Sequence, residues 1–248
     1  MGTRVKSGSR SLRERGGNMR VLVFDIRGNM AHFRMPDTTN THASYPFIPH
    51  TTVRGLVGSI LGLSEFDGIS LVGIRIMRPV RSTMQQMSML GKGWLGSDNS
   101  FNRPTTIELL VSPYYRIYWT GDYLDDLEAC IVNNKSHYHT YLGSAFALTF
   151  PQYIGNYKYK EINEQQEIEC STVVPINGIR KLIPSQGTHY SRVGGMHYEY
   201  LGDRCFGKTC SVLYEPMARN ISLYPNTDVN NDNVKFCRLE SGETICLW

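Results

Sequence analysis

Several absences narrow the reading of this chain. No apolar run reaches the about 18 residues that a membrane span needs, so no membrane partner is expected. The six cysteines, Cys130, Cys170, Cys205, Cys210, Cys237 and Cys246, form no CxxC pair, and no zinc site is signalled. Reduced, mostly buried thiols in a cytoplasmic protein are the expectation. Charge is scarce: charged residues are 19% of the 248 and the net charge is only +4, which permits a nucleic-acid partner without demanding one. No phosphate loop is present. GLVGSILG (55–62) is not followed by GK[ST], and Phe206-Gly207-Lys208-Thr209 lacks the upstream glycine, so a nucleotide hydrolase is unsupported. The first 18 residues lack the apolar stretch of a signal peptide and read as a disordered basic tail, with Met19 opening the folded chain.

The richest stretch is 28–63. RVLVFDIRG (20–28) carries apolar residues on both faces and reads as a buried central strand. GNMAHFRMPDTTNTHASYPFIPH (28–50) is a loop dense in His, Arg, Tyr and Asn, the groups that hold phosphates or stack on bases. A helix at 51–62 follows, N-capped by Thr51 or Thr52, with Val53, Leu56, Val57, Ile60 and Leu61 on one apolar face. Gly55, Gly58 and Gly62 fall on the opposite side and cost roughly 1 kcal/mol each against Ala. Close approach of a backbone offsets such a cost. That backbone is a loop of the same chain, a neighbouring subunit or a nucleic acid.

Further strands are expected at 69–79, at 105–119 with Pro113 bending it, and at 145–155. A helix is expected at 122–133. Residues 81–103 have no period and read as an insertion: a protruding hairpin whose Met84, Met87, Met89 and Leu90 form an apolar tip, or a loop whose methionines tuck onto the core. The order strand, helix, strand, strand, helix, strand is that of an α+β, ferredoxin-like (RRM-like) βαββαβ domain. It spans 19–155, and 156–248 reads as a β-rich extension packed on it.

Gly28, Ala31-His32-Phe33-Arg34, Tyr45-Pro46-Phe47-Ile48-Pro49-His50-Thr51-Thr52 and Gly55-Leu56-Val57-Gly58 resemble the N-terminus of the fifth family of CRISPR-associated (Cas) proteins. NRPTTIELLVSPYYRIYW (102–119) and, more loosely, YLGSAFALTFPQYIG (141–155) extend the likeness, in a type I-B-like flavour. His50 departs from the Arg that many relatives carry. The resemblance implies a RAMP-superfamily fold with residues 81–103 as a thumb. It also implies a non-catalytic subunit of the Cascade complex, an antiviral defence machine. That subunit would cap the 5′ handle of the CRISPR RNA and dock the backbone and large subunits, meeting target DNA through the guide.

Arg27, His32, Arg34, Asn40, His42, Tyr45, Arg54 and Arg103 are the candidate RNA-binding residues. Met84, Met87, Met89, Leu90, Lys92 and Trp94 are the candidate thumb residues. His32, His42 and His50 in one loop raise two alternatives. One is a metal site, disfavoured by irregular spacing. The other is a metal-independent endoribonuclease that processes precursor CRISPR RNA. No cofactor is expected.

Overall fold

The computed structural model describes residues 19–38, 40–92, 100–163, 165–202, 205–226 and 234–248. β1 (Arg20–Arg27) leads through β2 (Met30–Ala31) and β3 (Thr41–His42) to α1 (His50–Leu61) and β4 (Ser70–Ile76). The hairpin β5 (Ser82–Lys92) and β6 (Ser100–Val111) precedes β7 (Tyr114–Gly121), α2 (Leu124–Val132) and β8 (Gln152–Glu161). Short strands complete the chain: β9 (Ile168–Cys170), β10 (Val174–Pro175), β11 (Ile179–Leu182), β12 (Ser191–His197), β13 (Tyr200–Gly202), β14 (Cys205–Phe206), β15 (Thr209–Tyr214), β16 (Ile221–Pro225), β17 (Lys235–Leu239) and β18 (Thr244–Leu247). The fold is mixed α+β and mostly strands. Neither helix is long and apolar enough to cross a membrane.

The central sheet runs β18-β17-β8-β1-β7-β4, antiparallel throughout. Alternation along β1 sends Leu22, Phe24 and Ile26 to one face, where Val53, Leu56, Val57 and Ile60 of α1 and Leu127 and Ile131 of α2 cover them. Val21 and Val23 point the other way, into a cluster with Leu71, Tyr118, Cys237, Leu239, Ile245 and Leu247. The second face is closed because the sheet's ends meet. The Val72 N–H donates to the Trp248 carbonyl at 2.9 Å, and the Trp248 N–H to the Val72 carbonyl at 3.2 Å. Asp25 sits on this inner face, opposite Arg116, and accepts two guanidinium hydrogen bonds from it at 2.8 and 3.0 Å and one from the Tyr114 hydroxyl at 2.6 Å.

Several boundaries differ from the sequence reading. α1 starts at His50, with Pro49 rather than a threonine as N-cap. Proline already holds the φ, here −68°, that the position tolerates, and its missing N–H is no loss there. Gly62 is the helix's C-cap, at φ 76°, not an interior residue. The expected strand at 105–119 is two, β6 and β7, because Pro113 follows Ser112 in the left-handed region, φ 49°. Its first part pairs with β5 from Ser82↔Leu110 to Lys92↔Ser100, a ribbon about 35 Å long. The strand expected at 145–155 begins only at Gln152. Phe146, Leu148 and Phe150 imitate a strand's alternation but sit exposed on the turn before it. The polar segment 226–233 lies outside the described residues except for Asn226, whose N–H bonds to the Gly178 carbonyl.

Asp25 is the charge on which Arg116 and Tyr114 converge, and it is 2% exposed. Replacing it by alanine leaves a partly buried guanidinium unpaired. Asp25→Ala is expected to lower unfolding free energy by about 3 kcal/mol in urea titrations. A change below about 0.5 kcal/mol, the level of an ordinary surface substitution, would mean that water replaces the carboxylate.

Candidate nucleic-acid interface

The long loop after β1 is not free. β2 pairs with the far end of β6, antiparallel, and β3 runs parallel to the middle of the same strand. The Tyr45 N–H bonds to the Phe33 carbonyl at 2.8 Å and the Met35 N–H to the Ala43 carbonyl at 2.9 Å, so the loop folds back on itself. Glu108 of β6 holds both arms. Its carboxylate accepts the Ser44 N–H at 3.0 Å, and its carbonyl lies 2.8 Å from His32 Nδ1. A scaffold strand thus fixes a loop that carries His32, Arg34 and His42.

These groups come together. The rings of His32 and His42 stack with centroids 6.4 Å apart. Burial pushes the His32 pKa down, with the carbonyl of Glu108 opposing. The His42 pKa is lowered by partial burial first, and then by the nearby Arg34, His32 and Arg103. His32 is 7% exposed, and its Nε2 is buried with no hydrogen-bond partner. His32 lines a cavity of about 390 Å³ together with Arg34, Pro36, Pro49, Thr51 and Thr52. The cavity therefore opens at the start of α1, where the Thr52 and Val53 N–H groups turn to the Pro49 carbonyl and the N-cap makes no side-chain hydrogen bond. With Nδ1–H donating to the Glu108 carbonyl and the ring held neutral by burial, Nε2 is left as an acceptor that suits a hydroxyl or amine donor, while the Arg34 guanidinium and the positive helix end favour an anion.

The opposite wall comes from distant sequence. His197 and Phe206 stack at 4.2 Å with 13° between their planes, and both line the cavity. Gly143, at φ 82°, closes another side. A Cβ there would meet the His32 carbonyl at 2.1 Å, so only glycine lets this turn lie against the loop. Neither His197 nor Phe206 was marked as a site residue in the sequence, since long-range strand pairing brings them here, while Glu108 and Gly143 lie in the runs 102–119 and 141–155 that carry the family likeness without being singled out there.

Of the candidate RNA-binding residues, His32, Arg34, His42 and Arg103 converge. Arg27 is exposed at the loop's start and Asn40 near its middle, just before β3. Two sit differently from the sequence reading. Tyr45 is 4% exposed and gives its hydroxyl to the Gly195 carbonyl at 3.1 Å, and burial pushes its pKa up to about 12. It is a wall, because the residues after it are core. Arg54 is committed within the fold, its guanidinium bonded to the Gly68 carbonyl and 4.9 Å from the Phe66 ring centroid. His50 is buried between Tyr198 and Trp248, 5.0 and 5.1 Å away, and so stands apart from the other two loop histidines. On the β5–β6 hairpin, Met84 and Leu90 are 58% and 74% exposed, and Met89 is exposed too, so these side chains do not fold onto the core; Met87 is half-buried. Lys92 pairs by its backbone with Ser100, while its side chain and all of Trp94 lie outside the described residues.

Residues 21–107 match the sequence model of a family of CRISPR-associated proteins (Cas_Cas5). The chain resembles the Cas5 family. No curated protein matches it. Its fold is similar to that of a CRISPR protein from Archaeoglobus fulgidus, at 14% identity over 92% of this chain and 98% of that one, with a TM-score of 0.54. It is also similar to a chain of a CRISPR RNA-guided surveillance complex, at 10% identity over 86% and 96%, with a TM-score of 0.53. At such identities these likenesses speak for the fold of this Cas5-like chain.

The three glycines of the helix also resolve. Nothing lies within 4 Å of a Cβ built on Gly55, Leu63 of the same chain lies beside Gly58, and His137 lies over Gly62. The close neighbour at Gly62 is therefore the chain itself, and among the described residues none stands over Gly55.

Burial, helped by the charge of Arg54, lowers the His50 pKa to about 3. The unfolded chain has an ordinary value near 6.5, so it binds more protons than the native state between the two. Stability from this residue is complete above about pH 6.5 and is lost as pH falls toward 3. In urea titrations at about pH 7.5 and pH 5, His50→Phe is expected to show a smaller loss on acidification than the parent chain. An unchanged loss would remove His50 from the acid response.

Proposed function

We propose that this chain is a subunit of a type I-B-like CRISPR effector complex of the Cascade kind, which grips the 5′ handle of the CRISPR RNA without cutting it. The observation that carries the reading is the cavity at the start of α1. His32, whose Nε2 is buried and unpartnered, lines it, Arg34 and the helix end supply positive potential, and the stacked His197–Phe206 pair offers a flat wall. That combination suits a nucleotide: a phosphate at the helix end and a base against the rings. The element order β1, α1, β4, β7, α2, β8 and the sheet order β8-β1-β7-β4 support a ferredoxin-like, RAMP-type core. The β5–β6 hairpin is then the thumb, with Met84, Met89 and Leu90 outward to wedge against the guide–target duplex. Backbone and large subunits are the protein partners, target DNA is met through the guide, and the setting is antiviral defence in the cytoplasm.

The second reading is a metal-independent endoribonuclease, and the stacked His32–His42 pair favours it. We prefer binding because Glu108 locks one ring in place and because the two cationic neighbours of His42, Arg34 and Arg103, suit holding a phosphate.

Handle RNA binding tests this directly by fluorescence anisotropy. Arg34→Ala and Arg103→Ala are each expected to weaken it and to lower the salt slope by about 0.7. A phosphate beside His42 favours its protonated form, so affinity is expected to rise as pH falls toward the lowered pKa of the free protein, below the ordinary value of about 6.5, and His42→Ala to flatten that rise. Equal affinity in all variants, or a co-expressed complex that purifies without RNA, sinks the handle reading. Precursor RNA incubated without metal is expected to stay intact, and a cut that disappears in His42→Ala would establish the nuclease instead.

A further inference from the structure

At the opposite end of β1, about 23 Å from Arg27, the sheet carries a row of cations that this reading leaves unused. Arg20 of β1 lies directly opposite Lys158 of β8, and Lys160, two residues on along the same face, lies opposite Arg238 of β17. All four are exposed. Like charges placed directly across a sheet destabilise it, and here two such pairs stand side by side. Arg20 is relieved by Asp125 of α2 at 2.8 Å. Among the described residues, Lys158, Lys160 and Arg238 make no ion pair. Those three line a cavity of about 630 Å³ beside Met19 and Tyr159. Of the carboxylates there, Glu161 is paired with Lys235 and Glu240 is exposed at the rim.

We propose that this strip is a second binding surface, for the phosphate backbone of a nucleic-acid strand. Along β8 the cations are about 6.6 Å apart, and across to the neighbouring strands about 5 Å, so they form a zigzag on a rigid sheet. Such spacing engages successive charges of a backbone, and the flat sheet reads no base edge, so the contact is independent of sequence. The chain also enters the strip at Met19, directly after a segment bearing Arg4, Lys6, Arg10, Arg13 and Arg15 against one acid, Glu14. A basic sequence preceding a basic sheet end favours nucleic acid over an acidic polypeptide. The strip works beside the handle site and does not require it.

The test measures anisotropy of a labelled oligouridylate with the full chain over a range of salt. The variant Lys158→Gln/Lys160→Gln/Arg238→Gln is expected to bind at least about tenfold more weakly at low salt and to lose roughly 2 from the salt slope. Glu240→Gln, which removes the rim carboxylate, is expected to tighten binding. Arg34→Gln/Arg103→Gln removes a separate share, so the combined variant loses both. If only the strip variant weakens binding, the handle reading fails alone. If the triple variant matches the parent in affinity and slope while Glu240→Gln changes nothing, the strip is a solvated surface and the proposal is wrong. Competition by polyglutamate as effective as that by oligouridylate at equal charge would also overturn it.

Discussion

Val72 and Trp248 exchange backbone hydrogen bonds, and with them the outer edges of the six-stranded sheet meet. Much follows from this closure. β1 becomes buried on both faces, so its second face holds Val21, Val23 and the Asp25–Arg116 pair instead of meeting solvent. A sheet of this order could otherwise have presented aromatics such as Tyr118 to bases, yet Tyr118 is fully buried and its hydroxyl goes to Glu243. Both proposed binding surfaces accordingly lie at the sheet's ends and not on its face: the loop after β1 at one end and the cationic row at the other.

The loop can serve because it is rigid. A free segment of its length would pay ordering entropy on every encounter. Here Glu108 and the short β2 and β3 pairings fix it beforehand, so His32, Arg34 and His42 are already placed. The buried, unpartnered nitrogen of His32 has the same logic. Such an acceptor costs free energy in the empty protein and regains it when a donor arrives. The β5–β6 ribbon shares this anchoring, since the strand that holds the loop is also one arm of the hairpin.

How much of this was readable depends on range. β1 and the apolar face of α1 were legible because their periods of 2 and 3.6 are local and their burial agrees with them. The loop's polar content pointed to the site, and its family motif to the same residues. Tyr45 and Arg54 were misplaced because composition cannot tell a wall or a committed cation from a free one; only the bonds to Gly195 and Gly68 decide. Phe146, Leu148 and Phe150 imitated strand alternation on a turn. His197 and Phe206 could not be found, as they reach the cavity through strands more than a hundred residues away in sequence. The closure by Trp248 is equally non-local.

The central claim is that the cavity between the 28–50 loop, the start of α1 and the His197–Phe206 pair holds a nucleotide of the RNA handle. Photo-crosslinking of handle RNA carrying 4-thiouridine, followed by peptide mapping, tests it most directly. The account predicts crosslinks on the peptides that contain His42 and Phe206, competed by unlabelled handle. Crosslinks confined to other surfaces, with both peptides unmodified, would contradict it.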